Sequence, residues 1–225
     1  MLREIIKVWK GHSFMKEVVA SVGKMLDHDK YLFEHAWEAF TGKVVINEVR
    51  EDFGKRDEAV NELERRVRRI VIEHLAVNPR EDAPGCLAMM SVVKDVERIG
   101  DYAKNIFELA TLLDGQTRNL SHFNELDDIQ RRISDNLDNL RPAFVDSDEE
   151  KAKEIVGQYS DLKAQCDKII RELFTETLDS REALATALAA RHLKRVNSHI
   201  SNVATSVVYP LDKMDFVRAK DALFE

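Results

Sequence analysis

The residues with the clearest chemical potential lie in Val96–Ile106, which reads VERIGDYAKNI. Helical residues four apart share a face, so Glu97 and Asp101 present two carboxylates side by side, and Asn105 and Glu108 extend the stripe. Around it Val92, Val93, Val96, Ile99, Ala103, Ile106 and Phe107 form apolar surface. Two acids beside such a face repel each other and resist desolvation unless a positive charge neutralises them. A second stripe, Asp57, Asn61 and Glu64, falls at i, i+4 and i+7 of the preceding helical segment, again on one face. Antiparallel packing of the two segments brings four carboxylates together, and oxygen ligands on facing helices are how bundles build metal sites. Carboxylates hold iron, manganese or zinc, so ligand type does not select the metal. Arg98, Lys94 and Lys104 are close enough in sequence to pair with the acids instead, and spacing alone favours that ordinary use of surface charge.

Other chemistries lack their residues. None of the seven histidines stands in ExxH, which argues against a ferritin-like di-iron centre, and HExxH, GxxxxGK[ST], GxSxG and CxxC are absent. His74, His192 and His199 read as core or surface histidines. A hydrolytic dyad of Glu97 and Asp101 has no recognisable substrate pocket, so no catalytic residue is assigned. Cys86 and Cys166 are lone thiols that fit a reducing compartment.

The chain has 225 residues, 44% hydrophobic and 33% charged, with a net charge of −7. That acidity argues against nucleic acid as a partner. Arg65, Arg66, Arg68 and Arg69 are locally basic but lie among acids, as on a solvated helix face. The N-terminal MLREIIKVWKGHS carries no apolar signal core and no run approaches 18 apolar residues, so a cytoplasmic protein, peripheral to a membrane at most, is expected.

With only 8 Gly and 4 Pro, long helices are favoured over short strands. A short turn around Leu2–Trp9 precedes a helix opened by Ser13, packed through residues such as Val18, Val22, Phe33 and Trp37, and ended at Gly42. Val44–Ile46 alone is too short to read as a strand. The second helix runs from about Asn47 to Leu75 through Gly54. The third follows Asn78-Pro79 and Pro84, carries Met89 and Met90 into the core, and stops at Asp114-Gly115. A fourth spans Ser121 to Leu140, with Pro142 kinking or ending it. Ser147 with Glu150, and Asp179 with Glu182, form capping boxes that open a fifth helix and a sixth reaching Tyr209-Pro210.

Three helices, a loop and three helices predict an all-α fold of two tandem three-helix bundles, residues 1–118 and 119–225, related by an internal repeat. ERIGDYAKNI aligns with KRVNSHISNV, Lys194–Val203, matching Arg98 to Arg195 and Asn105 to Asn202. Lys194 and Ser198 stand where the acids are in the first copy, and an ammonium donates but cannot ligate a cation.

The KDVERIGDYAKNI stretch, with HLAVNP at His74–Pro79, DEAVNELE at Asp57–Glu64 and the second copy at Lys194–Val203, resembles the PhoU-like proteins from about Ser13 to Phe216. The resemblance implies two similar three-helix bundles and a regulatory, non-enzymatic role in phosphate uptake. It implies docking to a phosphate transporter and a sensor histidine kinase, and in some members iron or zinc clusters held by the acidic motifs. Carried over by position, Glu97 and Asp101 are metal ligands, Asp57 and Glu64 follow from the facing helix, and Asn61 and Asn105 are secondary candidates. In the second half Asp161 or Asp167 remains as a remnant, so a one-sided protein is expected. Alternatives are an accessory subunit of another phosphate or ion transporter, a plain helical interaction module without metal, and a metal-dependent phosphoesterase. Unequal halves also make a homodimer a possible assembly.

Overall fold

The computed structural model describes residues 13–77, 82–113, 117 and 119–215. They form α1 (Ser13–Phe40), α2 (Ile46–Val77), α3 (Ala83–Leu113), α4 (Phe123–Val145), α5 (Glu149–Glu172), α6 (Ser180–Val208) and a 3-10 turn at Leu211–Lys213. No strand occurs among the described residues. The expected turn around Leu2–Trp9, the Asn78-Pro79 and Gly115 loop tips and the tail beyond Asp215 lie outside them.

Helices α1, α2 and α3 pack on one another, as do α4, α5 and α6, and the halves meet where α3 lies on α6 and α1 on α4. The all-α repeat of three-helix bundles is therefore what the chain forms, with one core running through both halves. The two outer helices bury narrow seams: Phe53, Val60, Val67 and Val71 in α2, and Ala152, Ile155, Leu162, Cys166 and Ile169 in α5. The inner helices are apolar over much wider arcs, because each faces partners on several sides. Met89 is fully buried and Met90 packs beside the core.

Local sequence explains most helix ends. Gly42, at φ 67°, supplies the left-handed residue that stops α1, with its N–H donating to the Ala39 carbonyl at 3.1 Å. Asp179 caps α6 by accepting from the Glu182 N–H. Pro142, the cap of α5 and the start of α4 depart from expectation. Pro142 neither ends nor visibly interrupts α4, which continues to Val145. The proline sits in the last turn, where it removes one hydrogen bond, while burial of Leu140, Ala143 and Phe144 holds the helix on course. The cap of α5 is Asp148, whose carboxylate accepts from the Lys151 N–H at 3.2 Å, not Ser147. With so few residues between α4 and α5, Ser147 is needed for the reversal, adopts φ 59° and buries its hydroxyl without a partner. The fourth helix also starts later than expected, at Phe123 after left-handed His122.

The seam between halves combines apolar packing with satisfied polar groups. Trp37 of α1 is 2% exposed and donates its indole N–H to Asp127 of α4 at 2.9 Å. Gly23 lets α4 approach closely, since a Cβ there would stand 3.0 Å from Val145. Between α3 and α6, Asp95 and His199 are both buried and 2.7 Å apart, and Asn202 donates to the same Asp95 oxygen at 3.2 Å. Arg195 lies 3.2 Å from His199 Nε2 and donates through Nε to the Tyr102 hydroxyl at 3.1 Å. Since Arg195 can only donate, Nε2 of His199 accepts and its Nδ1–H donates to Asp95.

Asp95→Ala, which strands His199 and Asn202 between the halves, is expected to destabilise the protein by about 3–5 kcal/mol in urea denaturation; a loss under about 1 kcal/mol contradicts this account of the seam. Ser147→Gly is expected to raise stability by about 0.5–1 kcal/mol, because glycine adopts the left-handed turn without strain. A lower urea midpoint would show that Ser147 does more than turn the chain.

Candidate metal centre

Helix α3 carries Glu97 and Asp101 one turn apart, both half-buried. Helix α2 brings Asp57 and Glu64 alongside, and the Lys104 ammonium of α3 reaches Asp57 at 3.0 Å. The expected acids of two helices are thus brought to one seam. Their side chains are partly withdrawn from water, at 18% exposure for Glu97, 20% for Asp57 and 12% for Glu64, with Asp101 more open at 36%. Asn61 and Asn105 are half-buried on the same two helices.

The acids differ in how they are neutralised. Asp101 accepts from Arg98 at 3.0 Å, Asp57 from Lys104, and Glu64 pairs with Arg68 at 2.6 Å. Glu97 has only a 3.7 Å approach from Arg98. Desolvation, then the neighbouring Asp101 and Glu64 charges, push its pKa up to about 7, Arg98 opposing the shift. The raised pKa favours a proton on Glu97 where the other acids have cations. Among the described residues no three His, Cys, Asp or Glu side chains are gathered so as to hold an ion in this arrangement. The donor set has the hard-oxygen character a cation site needs, and ligation requires Lys104 and Arg98 to swing away from Asp57 and Asp101.

One acid of the seam was missing from the sequence reading. Asp29 of α1 is completely buried, and neither of its oxygens has a hydrogen-bond partner. Burial foremost, then the charges of Glu97, Asp57 and Asp101, hold its carboxyl well above the usual range. The signal was present: Val22, Leu26, Phe33 and Ala36 step along the buried stripe of α1, and Asp29 occupies the helical step between Leu26 and Phe33. An acid at a core position needs a reason. Its carboxylate also explains a glycine in the motif, because a Cβ on Gly100 would lie 2.7 Å from Asp29 Oδ1.

The second half is built differently. Lys194 bonds Asp167 across α6 and α5, Arg132 holds Asp161 at 2.7 Å, and the Ser198 hydroxyl turns back to the Lys194 carbonyl at 2.9 Å. Asp161 and Asp167 are each engaged by a cation of the chain. His74 stacks on Phe14 and lies 2.6 Å from Asp82, while His192 is half-buried beside Tyr102.

The raised Glu97 pKa has a sign. Its folded value of about 7 exceeds the ordinary 4.5, so its contribution is fully present below about 4.5 and is lost as pH rises towards 7. In chelator, the melting temperature of the wild type relative to Glu97→Gln is expected to fall between pH 5 and pH 8. A difference that stays constant over that window excludes the protonated Glu97 described here.

The PhoU domain model matches the chain twice, over residues 22–110 and 126–207. A phosphate-specific transport system accessory protein PhoU homolog of Deinococcus radiodurans is 28% identical over 169 residues, 73% of this chain and 78% of its own. The Aquifex aeolicus homolog of the same name is 26% identical over 210 residues, covering 91% and 92%. The crystal structure of PhoU from Pseudomonas aeruginosa superposes with a TM-score of 0.77 at 22% identity, over 89% of this chain and 98% of that one, a likeness of fold. With the same domain matched in each half and both halves folded as three-helix bundles, the chain belongs to the PhoU family.

Proposed function

We propose that the protein is a regulatory, non-enzymatic accessory protein of phosphate uptake and phosphate signalling, with a cation site in its first bundle. The observation that carries this reading is the PhoU match in both halves, together with relatives named as accessory proteins of phosphate-specific transport. It acts by docking, in the cytoplasm, onto a phosphate transporter, a sensor histidine kinase or both. In keeping with docking from outside the bilayer, no described helix is long and apolar enough to cross a membrane.

Glu97 and Asp101 of α3 and Asp57 and Glu64 of α2 would hold the ion, iron or zinc. The unpartnered Asp29 behind them supports the fit, since a buried carboxylate without donors is costly unless neutralised. Bound there, a cation supplies the positive charge this seam lacks. The protein's own part is to bring the acids of two helices together and to release Asp57 and Asp101 from Lys104 and Arg98. A second reading, a helical interaction module without metal, is favoured by those same pairs, which already neutralise three of the acids.

Purified wild type is expected to retain iron or zinc, and Glu97→Ala/Asp101→Ala to lose most of it, by elemental analysis after gel filtration. Equal metal in both removes the site; no metal in either favours the interaction module. In the source cell, deletion of the gene is expected to raise phosphate uptake in phosphate-rich medium. Restoration by the wild-type gene is the control, and unchanged uptake on deletion overturns the phosphate role.

A further inference from the structure

Asp29 stands apart from every other acid at the α1–α2–α3 seam. Asp101, Asp57 and Glu64 each have a cation, and Arg98 stands 3.7 Å from Glu97. Asp29 is 0% exposed, has no hydrogen-bond donor to either oxygen, and feels Glu97, Asp57 and Asp101 as its charged neighbours. A buried carboxyl kept for helix geometry accepts from a backbone or side-chain N–H; this one accepts from nothing. It is also not there for want of a better-packed residue, because the neighbouring helix makes room for it. Gly100 lies between Glu97 and Asp101, and any side chain at that point would meet Asp29 Oδ1 at 2.7 Å.

We propose that Asp29 is a further ligand of the cation site, supplied by α1, and that Gly100 is the slot through which its carboxylate reaches the ion between Glu97 and Asp101. The inference rests on the cation reading above and adds to it a third helix. With ligands on α2 and α3 alone, an ion ties two neighbouring helices. With Asp29 it ties all three helices of the first bundle, including α1, which packs on α4 of the other half. Cation occupancy is then transmitted to the whole bundle as stability, in the manner of metal sites whose ligands come from separate elements.

The test uses the full chain stripped with chelator and titrated with Zn(II) alone and, without oxygen, Fe(II) alone, reading affinity and melting temperature. Asp29→Asn keeps the shape and removes the charge. It is expected to melt no lower than wild type in chelator, to bind the metal at least tenfold more weakly, and to lose most of the metal-induced rise in melting temperature. Gly100→Ala keeps every acid in the sequence but displaces the Asp29 carboxylate, and is expected to weaken the metal in the same direction, with little further loss when combined with Asp29→Asn. Wild-type affinity in both single variants overturns the proposal. So does an Asp29→Asn variant that melts far below wild type in chelator, the mark of a structural carboxyl. Metal retained by Asp29→Asn but lost in Glu97→Ala/Asp101→Ala overturns Asp29 alone; no uptake by wild type overturns the cation reading itself.

Discussion

Helix α3 has to pack on three sides at once. It lies against α1 and α2 within its own bundle and against α6 across the seam, so most of its circumference is committed to apolar contact and only a narrow strip is left for charge. Glu97 and Asp101 occupy that strip, which is why they are half-withdrawn from water instead of freely solvated. Desolvation that leaves an exposed glutamate untouched here raises the Glu97 pKa to about 7. The same crowding puts Asp29 behind them with no donor at all.

Helix α6 has the corresponding place in the second half, packed on α4, α5 and α3, and meets the constraint in the opposite way. Its ammonium at Lys194 holds Asp167, so the seam balances its charge from within the chain. Two bundles of one design thus differ in what they leave unbalanced, and the difference is confined to a few side chains. The fold accepts both solutions, since the apolar surfaces that build the halves are independent of the polar strip. Where α3 and α6 meet, Asp95, His199, Asn202 and Arg195 form a connected hydrogen-bonded set. A seam of that kind costs little to bury and much to disturb.

Helix number, order and approximate span were legible because apolar steps of three and four extend over long stretches, and because Gly42 and Asp179 act locally. Each of the Asp57 and Glu97 stripes was legible for the same reason, as each follows from spacing on one helix. Pro142 and Ser147 were misread because local rules compete with context. Burial of Phe144 carries α4 past its proline, and the short connection to α5 takes Ser147 for the turn and passes the cap to Asp148. Asp29 interrupts an apolar stripe, and only the packing of α2 and α3 on α1 makes that position buried and without a donor.

The amino-acid sequence by itself determined the helices, their repeat and the helical faces that carry acids, all of which depend on residues within a few turns of one another. It also determined that the second copy replaces acids by Lys194 and Ser198. Only the tertiary structure decided which charges meet: Lys104 with Asp57, Lys194 with Asp167, and Asp29 with none. Those outcomes depend on how three helices are rotated and how closely they approach. Gly100, which in the sequence is only a small residue in an acidic motif, gains its meaning from a carboxylate about seventy residues away.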